Sequence, residues 1–339
     1  MRRVYIRDYA LYLPKRRQTY EQLARATGLP PQVVRDKQGV LAKPLERHLS
    51  TSALGIASLK VLAKRNRQET ASAKFFIYAG SDFKDHYVWT IGTKIAWEAL
   101  HKRMLAFDIT SQCVGSLVGL DFAKSKLQTL GDQAASGIVT VSTKQSMIVN
   151  YRNRGTSFMF DSSDGAVSAL LTNEEGGQGS RYEILESSFI SDGRFSEVIY
   201  APFGERHRGS GESRWDYRAV FNENKAWRKD MQKVSGENFK KVVVDSLQKS
   251  GYSLKDVSYF AILHMKRSFH RELLRSLGTD EQKSIYLEMY GHMQGVDPFL
   301  SLDLAERRHK IKKGDVVVMT SAGTGWTWGA TTVVANVVG

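Results

Sequence analysis

The chain repeats itself over a long period, and that repeat constrains its fold more than any other feature. Phe75-Phe76-Ile77-Tyr78-Ala79-Gly80 reads as a short buried strand running into a polar loop. Tyr259-Phe260-Ala261-Ile262-Leu263-His264 has the same character. A helical pattern from Leu117 to Leu127 precedes the strand Ile138-Val139-Thr140-Val141-Ser142. Its counterpart starts near Pro298, passes through Leu300, Leu302, Leu304 and Ala305, and leads into Val316-Val317-Val318-Met319. Asp164-Gly165-Ala166-Val167 and Trp328-Gly329-Ala330-Thr331 then close the two halves alike, each a Gly-Ala turn entering a strand. Alternating strands and helices argue for an α/β fold. The echo argues for a duplicated α/β unit, with halves at 1–172 and 173–339; similarity between generic units is the plainer alternative. Amphipathic patterns over 50–65 and 233–249 predict further helices. The polar, Arg- and Trp-containing segment 204–229 predicts a surface excursion.

Composition narrows the partners. The 339 residues carry 49 Lys and Arg against 35 Asp and Glu, a formal charge of +14. Such an excess suits acidic partners. The basic groups at 64–67, 206–208 and 307–313 are not interleaved with aromatics, and no nucleic-acid-binding motif is present. A solvated basic surface is the first reading and docking of an acidic protein the second; no nucleic acid is expected. The alternating start, Val4-Tyr5-Ile6-Arg7-Asp8-Tyr9, reads as a strand rather than a signal peptide, and no apolar run is long enough to span a bilayer. A soluble, cytoplasmic protein without a membrane partner is expected.

Cys113 is the single cysteine. That excludes an intramolecular disulfide framework and suits a reducing compartment. It sits where a strand pattern gives way to small polar residues and then to a helix. Helix N-termini favour a thiolate through their unpaired N–H groups and dipole. A small buried hydrophobe is the plainer alternative. Three further features stand out. His264 ends a buried strand. His292 lies in the glycine-bounded turn Tyr290-Gly291-His292-Met293-Gln294-Gly295. Gly323-Thr324-Gly325 lets backbone approach a ligand and leaves N–H groups free to stabilise an oxyanion. Asp297 either caps the following helix or orients His292, and capping is the simpler reading.

Together these segments resemble the ketoacyl-ACP synthase III branch of the thiolase superfamily over nearly the whole chain. Asp108-Ile109-Thr110-Ser111-Gln112-Cys113-Val114-Gly115 is similar to its nucleophile motif. Arg154-Gly155-Thr156, Ser163-Asp164-Gly165-Ala166 and Ser191-Asp192-Gly193 follow in family order, and Gly323-Thr324-Gly325-Trp326-Thr327-Trp328-Gly329 resembles its C-terminal glycine-rich motif. The resemblance implies a thiolase-like, duplicated α-β-α-β-α layered fold and a homodimer. It implies an acyl-Cys113 intermediate, with His264 as the catalytic histidine and an oxyanion hole from the N–H groups of Cys113 and Thr324. Arg154 would contact the phosphopantetheine or CoA end of the donor. The substrate would be an acyl-CoA or acyl-ACP thioester, with no cofactor and no metal.

The chain also departs from the family pattern. His292 stands where the family has asparagine. His264-Met265-Lys266-Arg267 replaces the usual His-Gln-Ala-Asn. The stretch Val33-Val34-Arg35-Asp36-Lys37-Gln38-Gly39-Val40 has no aromatic to stack on an adenine, which favours an acyl carrier protein as donor. Condensation with a malonyl-type carbon nucleophile is the leading expectation. Acyl transfer to oxygen, nitrogen or another non-malonyl acceptor is the alternative, and a non-catalytic partner subunit ranks below both.

Overall fold

The computed structural model describes residues 2–130, 134–174, 179–200, 220–221 and 225–336. The surface excursion expected over 204–229 lies mostly outside the described residues.

Nine strands form one mixed sheet: β1 (Val4–Tyr12), β2 (Phe75–Tyr78), β3 (Leu105–Asp108), β4 (Ser136–Lys144), β5 (Asp164–Thr172), β6 (Tyr182–Ser191), β7 (Val257–Ile262), β8 (Val316–Gly323) and β9 (Thr327–Ala335). Their order is β7-β8-β9-β6-β1-β5-β4-β2-β3. The crossover strands β2, β3 and β4 pair in parallel, as do β7 and β8, while the hairpin partners are antiparallel. The two halves meet at β1 and β6, where Val4, Tyr5 and Ile6 pair with Ile184, Glu183 and Tyr182.

The helices sort into three layers because alternate strand residues point to opposite faces. Phe76 and Tyr78 of β2 face an outer cluster with α1 (Thr51–Arg65) and α2 (Ile91–Leu100), through Leu59, Leu62, Ile91 and Ile95. Phe75 and Ile77 face the middle, where α3 (Gly115–Thr129) and α6 (Asp297–Arg307) bury Leu117, Leu120, Phe299 and Leu302 in one cluster. Phe260 and Ile262 of β7 face the opposite outer layer, α4 (Lys225–Lys249) and α5 (Arg267–Ser276), through Phe239, Val243, Leu273 and Leu274. Helix α3 packs on strands of both halves. The result is the expected layered α/β architecture. Two boundaries differ from expectation. Helix α4 starts earlier than 233, because its charged first turns carry no apolar periodicity to reveal it. Strand β7 stops at Ile262, so His264 lies in the loop beyond the strand.

Candidate active site

The Cys113 turn is built by close backbone approach. After β3 the chain enters a short 3-10 turn, Gln112–Val114, that feeds directly into α3. Gln112 is forced to φ +50°, a conformation L-residues rarely hold. The C-terminal hairpin clamps the turn: Ser321 Oγ donates to the Cys113 carbonyl at 2.6 Å. Gly323 sits so close that a Cβ there would lie 2.4 Å from the Ser111 carbonyl oxygen and 3.2 Å from Cys113 N. The Gly323-Thr324 segment is therefore held over the nucleophile's backbone.

The histidine that reaches the sulfur is His292. Its Nε2 lies 3.1 Å from Cys113 Sγ, and its Nδ1 lies 2.6 Å from Asp297 Oδ2. Asp297 is fully buried at the start of α6. Its carboxylate also accepts the N–H of Met293 at 2.7 Å and of His264 at 2.9 Å. It thus orients His292 and ties together the two histidine-bearing loops, in place of the helix cap anticipated from sequence, since the first turn of α6 has no side-chain cap. Burial by itself pushes the His292 imidazole down, but Cys113 and Asp297 outweigh it and hold the ring well above its ordinary value. Cys113, His292 and Asp297 are arranged as nucleophile, base and orienting carboxylate.

His264 shares Asp297 with this group through its backbone N–H, but its ring makes a different set of contacts. Its side chain is fully buried, and neither ring nitrogen completes a hydrogen bond within the described protein. The ring lies against Tyr286, centroids 5.0 Å apart. Asp161 Oδ2, 3.4 Å from Nε2, and the Gln38 main chain face it. Burial first, then His292 and His270, push its pKa down to about 3, so the ring is neutral at pH 7.

Arg154 is exposed and lines a separate cleft of about 540 Å³ with Lys37, Gln38, Ser157 and Lys266. The non-aromatic segment 33–40 thus does border the same opening as Arg154, and Gln38 links this opening to His264.

Sequence reasoning missed Lys43 and Asp161. Lys43 is wholly buried, and its ammonium donates to the carbonyls of Phe160 and Ser162, each at 2.6 Å, and to the Tyr151 hydroxyl at 3.1 Å. Asp161 stands between those two carbonyls. Nothing in Ala42-Lys43-Pro44 marks that lysine as interior, because lysines are ordinarily solvated.

Family models for the N-terminal and C-terminal parts of 3-oxoacyl-[acyl-carrier-protein] synthase III match residues 107–193 and 247–335, together just over half of the chain. The chain belongs to this family. Among curated relatives of this synthase III, the beta-ketoacyl-[acyl-carrier-protein] synthase III of Rhodospirillum centenum is 25% identical over 325 residues, 94% of this chain and 95% of that protein. The synthase III structure from Pseudomonas aeruginosa superposes with a TM-score of 0.85 at 18% identity over 99% of both chains. That from Aquifex aeolicus gives 0.84 at 19%, over 98% of this chain and 99% of that one. The synthase III fold expected from the resemblance is therefore present along essentially the whole chain.

Proposed function

We propose that this synthase III condenses acyl groups through Cys113, taking the acyl chain from a CoA or acyl-carrier-protein thioester and joining it to a malonyl-type carbon nucleophile. The observation that carries the chemistry is the 3.1 Å Cys113–His292 contact backed by Asp297 at 2.6 Å. His292 holds the proton that the Cys113 thiol has given up, and the sulfur attacks the thioester carbonyl as thiolate. The N–H groups of Cys113 and Thr324 receive the oxyanion, a role supported by the closeness of Gly323 to Cys113 N. Collapse expels the carrier thiolate, which His292 reprotonates. The extender then loses its carboxylate as CO2, neutral His264 donating to the carbonyl oxygen of the enolate that forms; the enolate carbon attacks the acyl carbonyl and expels the Cys113 thiolate. The family's thioester chemistry needs no further cofactor in this scheme.

Arg154, Lys37 and Lys266 give the cleft a cationic rim suited to the phosphate end of a phosphopantetheine or CoA donor. The excess of basic residues suits an acidic carrier protein. A cytoplasmic homodimer divided at about residue 172 completes the reading, on family grounds.

A second reading is favoured by one feature. A histidine with an orienting carboxylate is a general base, so His292 can also deprotonate a hydroxyl or amine acceptor and pass the acyl group on without decarboxylation. Intact mass of acyl-loaded enzyme, chased with malonyl-ACP and controlled by C113A, separates the two. Loss of the adduct with appearance of β-ketoacyl-ACP supports condensation. An adduct that survives the chase but is cleared by hydroxyl or amine acceptors supports transfer. No adduct on Cys113 with any acyl thioester rejects both.

A further inference from the structure

Asp161 touches both histidines. Its carbonyl accepts the backbone N–H of His292 at 3.0 Å, and Ser163 N returns a bond to the His292 carbonyl at 2.9 Å. Its side chain, 8% exposed, brings Oδ2 to 3.4 Å from His264 Nε2. Gly291 makes the close approach possible: at φ +64° it passes so near that a Cβ would lie 2.2 Å from the Asp161 carbonyl. The Lys43 ammonium fixes the peptide on each side of Asp161, holding the carbonyls of Phe160 and Ser162. The backbone that carries this carboxylate is therefore held on both sides of Asp161.

We propose that Asp161 is a positioning residue that sets the tautomer of His264, and that Lys43 is the clamp that holds it there. A carboxylate at 3.4 Å has one way to improve its contact, which is to accept a proton from Nε2–H as the pair closes by a few tenths of an ångström. That places the proton on Nε2 and leaves Nδ1 with its lone pair. When Asp161 is protonated its O–H donates to Nε2 instead, and the imidazole proton must sit on Nδ1. Only proton positions change; the ring is neutral in both states. The change falls in an accessible range, because burial first of all lifts the Asp161 carboxyl to about 6, against the lowering influence of His292 and Lys43 and with Asp297 adding to the rise. The groups facing the pair are Lys43, His292, Asp297, His270 and Tyr286, with the Gln38 main chain also against His264.

The inference rests on His264 serving the synthase III reaction proposed above, but its test does not depend on that reading. Enzyme labelled with 15N-histidine is titrated by NMR from about pH 7.5 to about pH 5, with His264 identified by its missing signals in H264Q. The expected result is a move of the imidazole proton from Nε2 to Nδ1 with a midpoint near pH 6, with the ring remaining neutral. In D161N the transition is lost, and in D161E it returns with a displaced midpoint. A single His264 tautomer across the range, or an unaltered transition in D161N, overturns the proposal. The wild-type titration decides it even where a variant does not fold. Failure of Cys113 to load any acyl group would count against the function alone.

Discussion

Replacing Asp297 by asparagine removes the charge that orients His292 while keeping nearly the same volume, and its cost follows from the bonds at that carboxylate. Oδ2 serves both His292 Nδ1 and His264 N, and Oδ1 serves Met293 N. Asparagine has one oxygen, so whichever way the amide turns, at least one of these donors faces an NH2 group. A buried bond to a charged group is worth about 1.5–3 kcal/mol, so D297N is expected to lower stability by about that amount, read from urea unfolding. The loss in chemistry is larger. Without the carboxylate, the burial that disfavours the His292 imidazolium is opposed mainly by Cys113. Acylation of Cys113 is expected to slow by about 10²–10⁴-fold, the usual contribution of an oriented base, or about 3–5 kcal/mol of barrier. Rapid-quench mass spectrometry with a single turnover of acyl thioester measures it directly. Alkylation by iodoacetamide near neutral pH should fall in parallel, because both reactions need the proton handed to His292. A D297N enzyme that is folded, yet acylates and alkylates within about threefold of wild type, would refute the assignment of His292–Asp297 as the base.

Three other outcomes are expected. G323A places a methyl 2.4 Å from the Ser111 carbonyl; it should cost about 1–3 kcal/mol as overpacking and depress acylation far more than unfolding midpoints suggest. K43M strands the Phe160 and Ser162 carbonyls and leaves Asp161 without its neighbouring cation. It should destabilise by about 3–5 kcal/mol, and K43M/D161N should be less unstable than the sum of the single changes, as a double-mutant cycle in urea reads out. Burial holds His264 near 3 and His270 near 4; a depressed histidine binds its proton more readily when unfolded, so both contribute stability above about pH 6.5 that is lost as pH falls toward those values. Urea midpoints should fall between about pH 6.5 and about pH 4.5, partly offset by the raised Asp161 carboxyl, which takes up its proton more readily in the folded state, and H270L should flatten the slope.

Much of the fold was legible because strand faces and helix stripes leave periodic marks. Phe75-Phe76-Ile77-Tyr78 reads as a strand whichever layer it joins, and the echo in Tyr259-Phe260-Ala261-Ile262 needs no knowledge of contacts. Cys113 and both histidines could be singled out because turn chemistry and glycine placement mark their segments. Which histidine touches the sulfur was not. That depends on Asp297 drawing together two loops from one side of α6, a relation between residues that carries no local pattern. Lys43 and Asp161 left still less trace, since burial of either contradicts the ordinary preference of both residue types for water. Helix α4 extended into 225–232 against its own lack of amphipathic rhythm.

The seam at β1 and β6 has a consequence for the chain as it is made. The reactive sulfur is carried by the first half, whereas His292 and Asp297 arrive with the last sixth of the sequence. Until β6 to β9 have docked beside β1, neither the proton acceptor nor Ser321 and Gly323, which set the turn, is in place. On the proposed mechanism the Cys113 thiol therefore gains its base only when the fold is complete, and folding and activation of the sulfur are one event.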